Sequence, residues 1–374
     1  MPNWTVRTDC RWYRGGVPCR FKRTCPDCAD YSPRGAEVLV VKLGALGDVL
    51  RTCALLPALR RRHGETAQIT WVTAGASLPL VANQPLVDVA LPLSFETVLG
   101  LTGRHFEAVY VLDKEPEATG VGMRVEADQR YGFVHDRRGA LQVVEGSGEA
   151  MEYYWRLGLD DEEKFHRNQK SYQQLLAEAL GLDYRGERYR LTPGKEEREL
   201  AGEIIEQGLE RIKRKNTTEL IGLNIGAGAV FVNKNWPLER YIKLVKSLPK
   251  QSFLLLGGGR EQAALNQLSA LPNAISGGSG NDLLTFAALC ERCAVVLTGD
   301  TLGLHVSLAV ETPVVAFFGP TCEQEIDLYR QGEKLNTSLD CAPCYKRSCD
   351  RSPNCMETIE LATVQTVVKR LLDG

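Results

Sequence analysis

The stretch Leu297-Thr298-Gly299-Asp300-Thr301-Leu302-Gly303-Leu304-His305 decides how this chain is read. Apolar Cys293-Ala294-Val295-Val296-Leu297 leads into it and reads as a buried strand, since a short apolar run ending in a turn signal fits a strand covered on both faces. The run from Leu304 through Val310 reads as the helix that follows. A strand, a glycine-containing turn and a helix N-terminus form an anion site in an α/β protein. The first amide N–H groups of the helix and its dipole both point at the ligand. An Asp, a Thr and a His are added to that turn within residues 300–305. The combination suits a ligand whose phosphates are gripped while its other parts are read.

Working outward, the same alternation recurs on both sides. Strands are expected over 37–42, 68–72, 87–91 and 108–112, and again over 220–225, 252–256, 294–298 and 314–318. Helices are expected over 48–62, 149–165, 168–180 and 196–214, and from 357 to the end. Alternating strands and helices predict parallel, doubly wound sheets. A chain of 374 residues is comfortable for two such cores. The predicted architecture is therefore α/β, with two Rossmann-like domains facing a central cleft. The expected boundaries are a Cys-rich segment over 1–35, a first domain over 36–190, a second over 191–330, and a Cys-rich segment with a helix over 331–374. The charged stretch 183–195, with Pro193-Gly194, is the expected linker.

A net charge of -2 gives no overall affinity for polyanions. No apolar run approaches the length of a membrane span, and the first seven residues lack the apolar core of a signal peptide. A cytoplasmic protein is expected. Its twelve cysteines are many for that compartment. Cys10, Cys19, Cys25 and Cys28 form one cluster, and Cys341, Cys344, Cys349 and Cys355 another. Four thiolates match a closed, structural zinc site. Iron–sulfur ligation and metal-free thiols are the alternatives. Cys53, Cys290, Cys293 and Cys322 lie in apolar patterns and read as small core residues.

Four strand exits carry candidate chemistry. In Lys42-Leu43-Gly44-Ala45-Leu46-Gly47-Asp48, the glycines turn the chain and deliver Asp48 to a helix start. There it is either an N-cap or a general base. Asn224-Ile225-Gly226-Ala227-Gly228 is followed by Asn233-Lys234-Asn235-Trp236-Pro237. Gly226 and Gly228 allow close backbone approach, and Lys234 is either a phosphate contact or a solvated lysine. In Leu256-Gly257-Gly258-Gly259-Arg260-Glu261, Gly258 and Gly259 would lie along a base or ribose. Glu261 would accept from a ribose hydroxyl or simply favour a helix start. In the opening stretch, Asp300 would orient a sugar or base, and Thr301 and Gly303 would hold a diphosphate. His305 is a phosphate donor or a packed first-turn histidine.

This ordered set resembles the bacterial heptosyltransferase family, the family 9 glycosyltransferases of lipopolysaccharide assembly, from about residue 37 to residue 321. Lys42 to Asp48 is similar to the family's first-strand motif, and Lys234-Asn235-Trp236-Pro237 to its Lys-x-Trp-Pro motif. Asp300-Thr301 with His305 is similar to Asp-Thr-Gly-x-x-His, and Phe318-Gly319-Pro320-Thr321 to Phe-Gly-Pro-Thr. The chain departs from the pattern at Leu302, where the family has glycine, and in its cysteine clusters.

The resemblance implies a GT-B fold and inverting transfer of a sugar, heptose above all, from a nucleotide-diphospho-sugar such as ADP-heptose. No catalytic metal is implied. Asp48 would be the base, and Lys234 would stabilise the leaving diphosphate. Gly226, Gly228, Gly258, Gly259, Glu261, Asp300, Thr301, Gly303 and His305 would line the donor. Gly47, Asp113 and Lys114 would line a glycan or glycolipid acceptor, with Arg60-Arg61-Arg62-His63 available to touch anionic lipid at the inner membrane. The competing reading is a nucleic-acid-binding protein, in which basic residues among the cysteines (Arg11, Arg14, Arg20, Lys22 and Arg23; Lys346, Arg347 and Arg351) contact phosphates.

Overall fold

The computed structural model describes residues 5–214, 219–226 and 232–373. The chain divides into two compact units: residues 1–156 with 173–187, and residues 157–172 with 188–374. The first therefore ends inside the segment expected as a linker. The stretch 157–172, expected in the first domain, is grouped with the second unit.

The first unit is built on six strands: β1 (Glu37–Val41), β2 (Gln68–Thr73), β3 (Val89–Pro92), β4 (His105–Val111), β5 (Glu126–His135) and β6 (Leu141–Val143). Their order is β3-β2-β1-β4-β5-β6. All pairings are parallel except the antiparallel β5–β6 edge. Val38 to Val41, Ile69 to Val72 and Ala108 to Val111 are buried, as strands covered on both faces require. The helix expected over 48–62 is three pieces: Leu46–Thr52, a 3-10 turn at Cys53–Leu55, and Leu56–His63. Pro57 lies in the first turn of the last piece and has no N–H to continue the earlier ladder.

The second unit carries β7 (Leu220–Asn224), β8 (Ser252–Leu256), β9 (Ala274–Ser276), β10 (Val295–Gly299), β11 (Val314–Phe318) and β12 (Gly332–Asn336). Their order is β12-β11-β10-β7-β8-β9, all parallel. Numbered within its own half, each sheet thus has the strand order 3-2-1-4-5-6, the doubly wound arrangement in which ligands bind beyond the strand ends where the order reverses. That reversal lies between β1 and β4 in one unit and between β7 and β10 in the other. The expected helix over 149–165 is Glu149–Arg156 followed, after a break, by a π-helical turn at Glu163–Arg167. The terminal helix is Leu361–Asp373, with Val364, Val367 and Val368 in the core. Among the described residues no helix is long and apolar enough to cross a membrane.

Candidate active site

In the second unit the candidate residues gather at the reversal between β7 and β10. Asn224 ends β7, and its Nδ2 donates to Thr298 Oγ1 at 2.8 Å and to Thr301 Oγ1 at 3.0 Å. Thr301 occupies the N-cap position of the helix Leu302–Ala309, but its side chain makes no capping bond. Its hydroxyl faces Asn224 instead. Gly303 is two residues further, and a Cβ there would lie 2.3 Å from Asn224 Nδ2. Glycine leaves the Asn224 side chain in place; a larger residue there would displace it. At the position where the family pattern has glycine, Leu302 is the first helical residue and half-buried.

Lys234 Nζ donates to Asp300 Oδ2 at 3.0 Å and to the Asp300 carbonyl at 3.1 Å. Both side chains are about 15% exposed. A Cβ on Gly299 would come within 2.4 Å of the Lys234 carbonyl, so the two loops pack backbone to backbone. Trp236 fixes the Lys234 loop from below. It is buried, stacks on Phe317 and donates its indole N–H to the Ile359 carbonyl at 3.1 Å. His305 is buried. Its Nδ1 lies 3.2 Å from the Tyr189 hydroxyl, and its Nε2 lies 4.0 Å from Asp300 Oδ1. Lys234, Asp300, His305 and Tyr189 therefore form one polar chain.

The loop after β8 joins this end of the sheet. Glu261 Oε2 accepts from the Gly258 N–H at 3.0 Å, and a Cβ on Gly226 would lie 3.5 Å from the Glu261 carboxyl carbon. Glu261 is thus engaged as a cap, while Gly258 and Gly259 are exposed. Gly228 lies outside the described residues.

In the first unit the candidates gather at the reversal between β1 and β4. Asp48 is the third residue of the helix Leu46–Thr52, whose N-cap position is Ala45. The capping reading is corrected: Asp48 sits in the first turn, where the dipole favours its charge. It pairs with Arg51 Nη2 at 2.5 Å and is about one-third exposed. Gly47 precedes it, half-buried. Asp113 is buried, not part of an exposed turn. One oxygen accepts from Lys42 Nζ, and the other accepts from the Leu43 and Gly44 N–H groups. Burial opposes the charge on Lys42, but the carboxylates of Asp113 and Asp48 outweigh it and hold its pKa above the ordinary lysine value. Lys114 lies 5.3 Å from the Phe133 ring centroid.

Lys42, Arg51, Asn224 and Tyr189 were not among the sequence candidates. Lys42 and Asn224 each carry a signal, a polar residue at the end of an apolar strand. Tyr189 carries none, because it lies in the charged stretch read as a linker.

The basic run 60–63 is engaged within its own unit. Arg60 bonds the carbonyls of Glu65, Ala67 and Leu86 and pairs with Asp88. Arg61 pairs with Asp183 and Glu187, and Arg62 donates to the Leu180 and Gly181 carbonyls. Among the N-terminal basic residues, Arg11 pairs with Asp88, Arg23 pairs with Asp30, and Arg20 covers Trp12.

The expectation of structural zinc or iron–sulfur is corrected. Among the described residues no group of three or more His, Cys, Asp or Glu side chains is arranged to hold a metal ion. The cysteines of each cluster differ in environment. Cys355 is buried, its sulfur 2.5 Å from where a Gly319 Cβ would lie, while Cys349 is exposed. Cys10 takes part in a β-bridge with Pro33. Cys10, Cys19, Cys25, Cys28, Cys341 and Cys344 are likewise free thiols. Cys53, Cys290, Cys293 and Cys322 are buried; burial pushes the Cys290 thiol up to about 12 and the Cys322 thiol up to about 11.

A family model described as glycosyltransferase family 9 (heptosyltransferase) matches residues 99–354, well over half of the chain. The chain belongs to this family. Two curated proteins and two solved structures are similar to it. Lipopolysaccharide heptosyltransferase 1 of Pseudomonas aeruginosa is 24% identical over 340 residues, 85% of this chain and 88% of that one. Lipooligosaccharide heptosyltransferase 2 of Campylobacter jejuni is 27% identical over 167 residues, 42% of this chain. This second match spans about half the length of the relative (52%). A family 9 glycosyltransferase structure from Veillonella parvula superposes with a TM-score of 0.68 at 20% identity, covering 90% of this chain and 97% of that one. The E. coli structure described as ADP-heptose lps heptosyltransferase II gives 0.62 at 19% identity, covering 90% and 98%. At these identities the superpositions establish the fold: two Rossmann-like units of the GT-B type. Family membership makes the protein a glycosyltransferase.

Proposed function

We propose that this glycosyltransferase moves heptose from ADP-heptose to a hydroxyl of a lipopolysaccharide-type glycan, with inversion at the anomeric carbon. The observation that carries the reading is the Lys234–Asp300 pair beside a helix N-terminus, at the point in the second sheet where a nucleotide diphosphate binds in such folds. The printed descriptions of the family 9 relatives supply the sugar and the acceptor class.

The chemistry is one displacement. The acceptor oxygen forms a bond to the anomeric carbon while the bond from that carbon to the diphosphate oxygen breaks. The electron pair leaves with ADP, and the acceptor proton passes to Asp48. Negative charge grows on the leaving diphosphate. Lys234 and the N–H groups at the start of Leu302–Ala309 stabilise it, and Asp300, held at 3.0 Å, aims the ammonium. A fixed donor of this kind lowers the barrier by about 3–4 kcal/mol. Thr301, Gly226, Gly258 and Gly259 line the donor, and His305 is held for it by Tyr189. Gly47 and Lys114 border the acceptor.

A nucleotide-sugar donor and a glycolipid acceptor would meet the enzyme in the cytoplasm, at the surface of the inner membrane. The reading is tested by a thermal-shift screen of ADP-, UDP-, GDP- and CMP-sugars. ADP-heptose and ADP raise the melting temperature, and preference for another nucleotide overturns the donor assignment.

A further inference from the structure

We propose that the buried Lys42–Asp113 pair is the positioning device of the reaction: it fixes the loop 43–47 and thereby the place of the Asp48 carboxylate. This rests on the reading of Asp48 as the base. It removes Asp113 from the acceptor contacts and gives it a different task.

β1 and β4 are neighbours, with Val41 paired to Val111, so residues just past these strand ends meet at the reversal of strand order. There the Asp113 carboxylate receives three donors from three consecutive residues: the ammonium of Lys42, the N–H of Leu43, and the N–H of Gly44 at 3.2 Å. Lys42 Nζ also donates to the Gly44 carbonyl at 2.6 Å. The opposite side of the loop is held as well. The Leu43 carbonyl accepts from the Ala74 N–H at 3.2 Å and from Ser77 Oγ at 3.4 Å. Only Ala45, Leu46 and Gly47 separate this clamped segment from Asp48, and the Ala45 carbonyl already accepts from the Val49 N–H at 2.9 Å.

A tether for stability alone has no need of charge. Taking an ammonium and a carboxylate to 5% and 6% exposure costs desolvation, and a packed apolar pair generally stabilises as well or better. What the ion pair adds is direction. A carboxylate with three fixed donors has one orientation, and so has the loop bound to it. The same ammonium lies close enough to Asp48 for the two charges to interact. The pair and the base are therefore one electrostatic unit.

The test uses the full chain and ADP release from ADP-heptose, with a heptose-free lipopolysaccharide core, and separately with water, as the acceptor. The double variant Lys42→Met/Asp113→Asn removes both charges and leaves none buried alone. It is expected to keep its melting temperature, its affinity for ADP and its KM, while kcat falls about 100-fold, the scale of an ångström-sized misplacement. Lys42→Arg, which restores the charge, recovers most of that loss. Asp48→Ala is the control. If the wild type releases no ADP, the functional reading falls and this proposal with it. If Asp48→Ala turns over normally, the base assignment falls. If Asp48→Ala is inactive while the double variant keeps wild-type kcat, the positioning role alone is overturned. Should the double variant unfold, Asp113→Glu decides. It keeps the pair charged but displaces the carboxylate by a methylene, and an unchanged kcat overturns the proposal.

Discussion

Gly303 shows how much rests on a single hydrogen atom. With a Cβ at 2.3 Å from Asn224 Nδ2, alanine there would push Asn224 away from Thr298 and Thr301. Gly303→Ala should destabilise the protein by about 1–3 kcal/mol and weaken ADP binding, as chemical denaturation and calorimetry would measure. Lys234→Gln removes the charge and leaves a shorter polar side chain; its kcat for ADP release should fall about 100- to 1,000-fold, measured by steady-state kinetics. At this scale the sequence was legible for Lys234, Asp300 and His305, which stand in a recognisable order along the chain. It was not legible for Asn224, Lys42 or Tyr189, because their importance lies in partners 70 or more residues away. Asp48 was legible as a residue but misplaced within its helix, since the turn starts at Ala45 rather than at the acidic side chain.

At the scale of elements, the central strands were readable because burial on both faces leaves continuous apolar runs. The edges were not. β5 mixes polar and apolar residues over Glu126–His135, and β6, β9 and β12 are short or polar. Two elements carry predictions. Trp236 ties the Lys234 loop to the segment before the terminal helix through Ile359. Trp236→Phe keeps a ring against Phe317 but leaves that carbonyl without its donor. It should cost about 1–3 kcal/mol of stability by denaturant unfolding. His63 ends the helix Leu56–His63, with Nε2 at 2.8 Å from the Tyr110 hydroxyl. Burial, with the Arg62 charge added, holds its pKa below the ordinary 6.5. The unfolded chain therefore takes up the proton first. The His63 contribution is intact above pH 6.5 and is lost as pH falls from there toward the lower folded pKa. Melting temperature should drop over that window, and His63→Gln should flatten the drop.

For the whole molecule, two sheets of the same strand order follow from one alternation of strand and helix used twice. That is why the same strand-turn-helix pattern could be read in both halves. The cysteine clusters misled for the opposite reason. Spacing along the chain says which thiols are near in sequence, not whether four of them converge, and burial separates Cys355 from Cys349. The proposed function makes the molecule an ADP-heptose-dependent transferase with Asp48 as its base. Its most direct measurement is ADP release from ADP-heptose by wild type and Asp48→Ala, each shown by calorimetry to bind ADP. The wild type should turn over and the variant almost not at all, at unchanged ADP affinity; equal turnover by both would rule out Asp48 as the base.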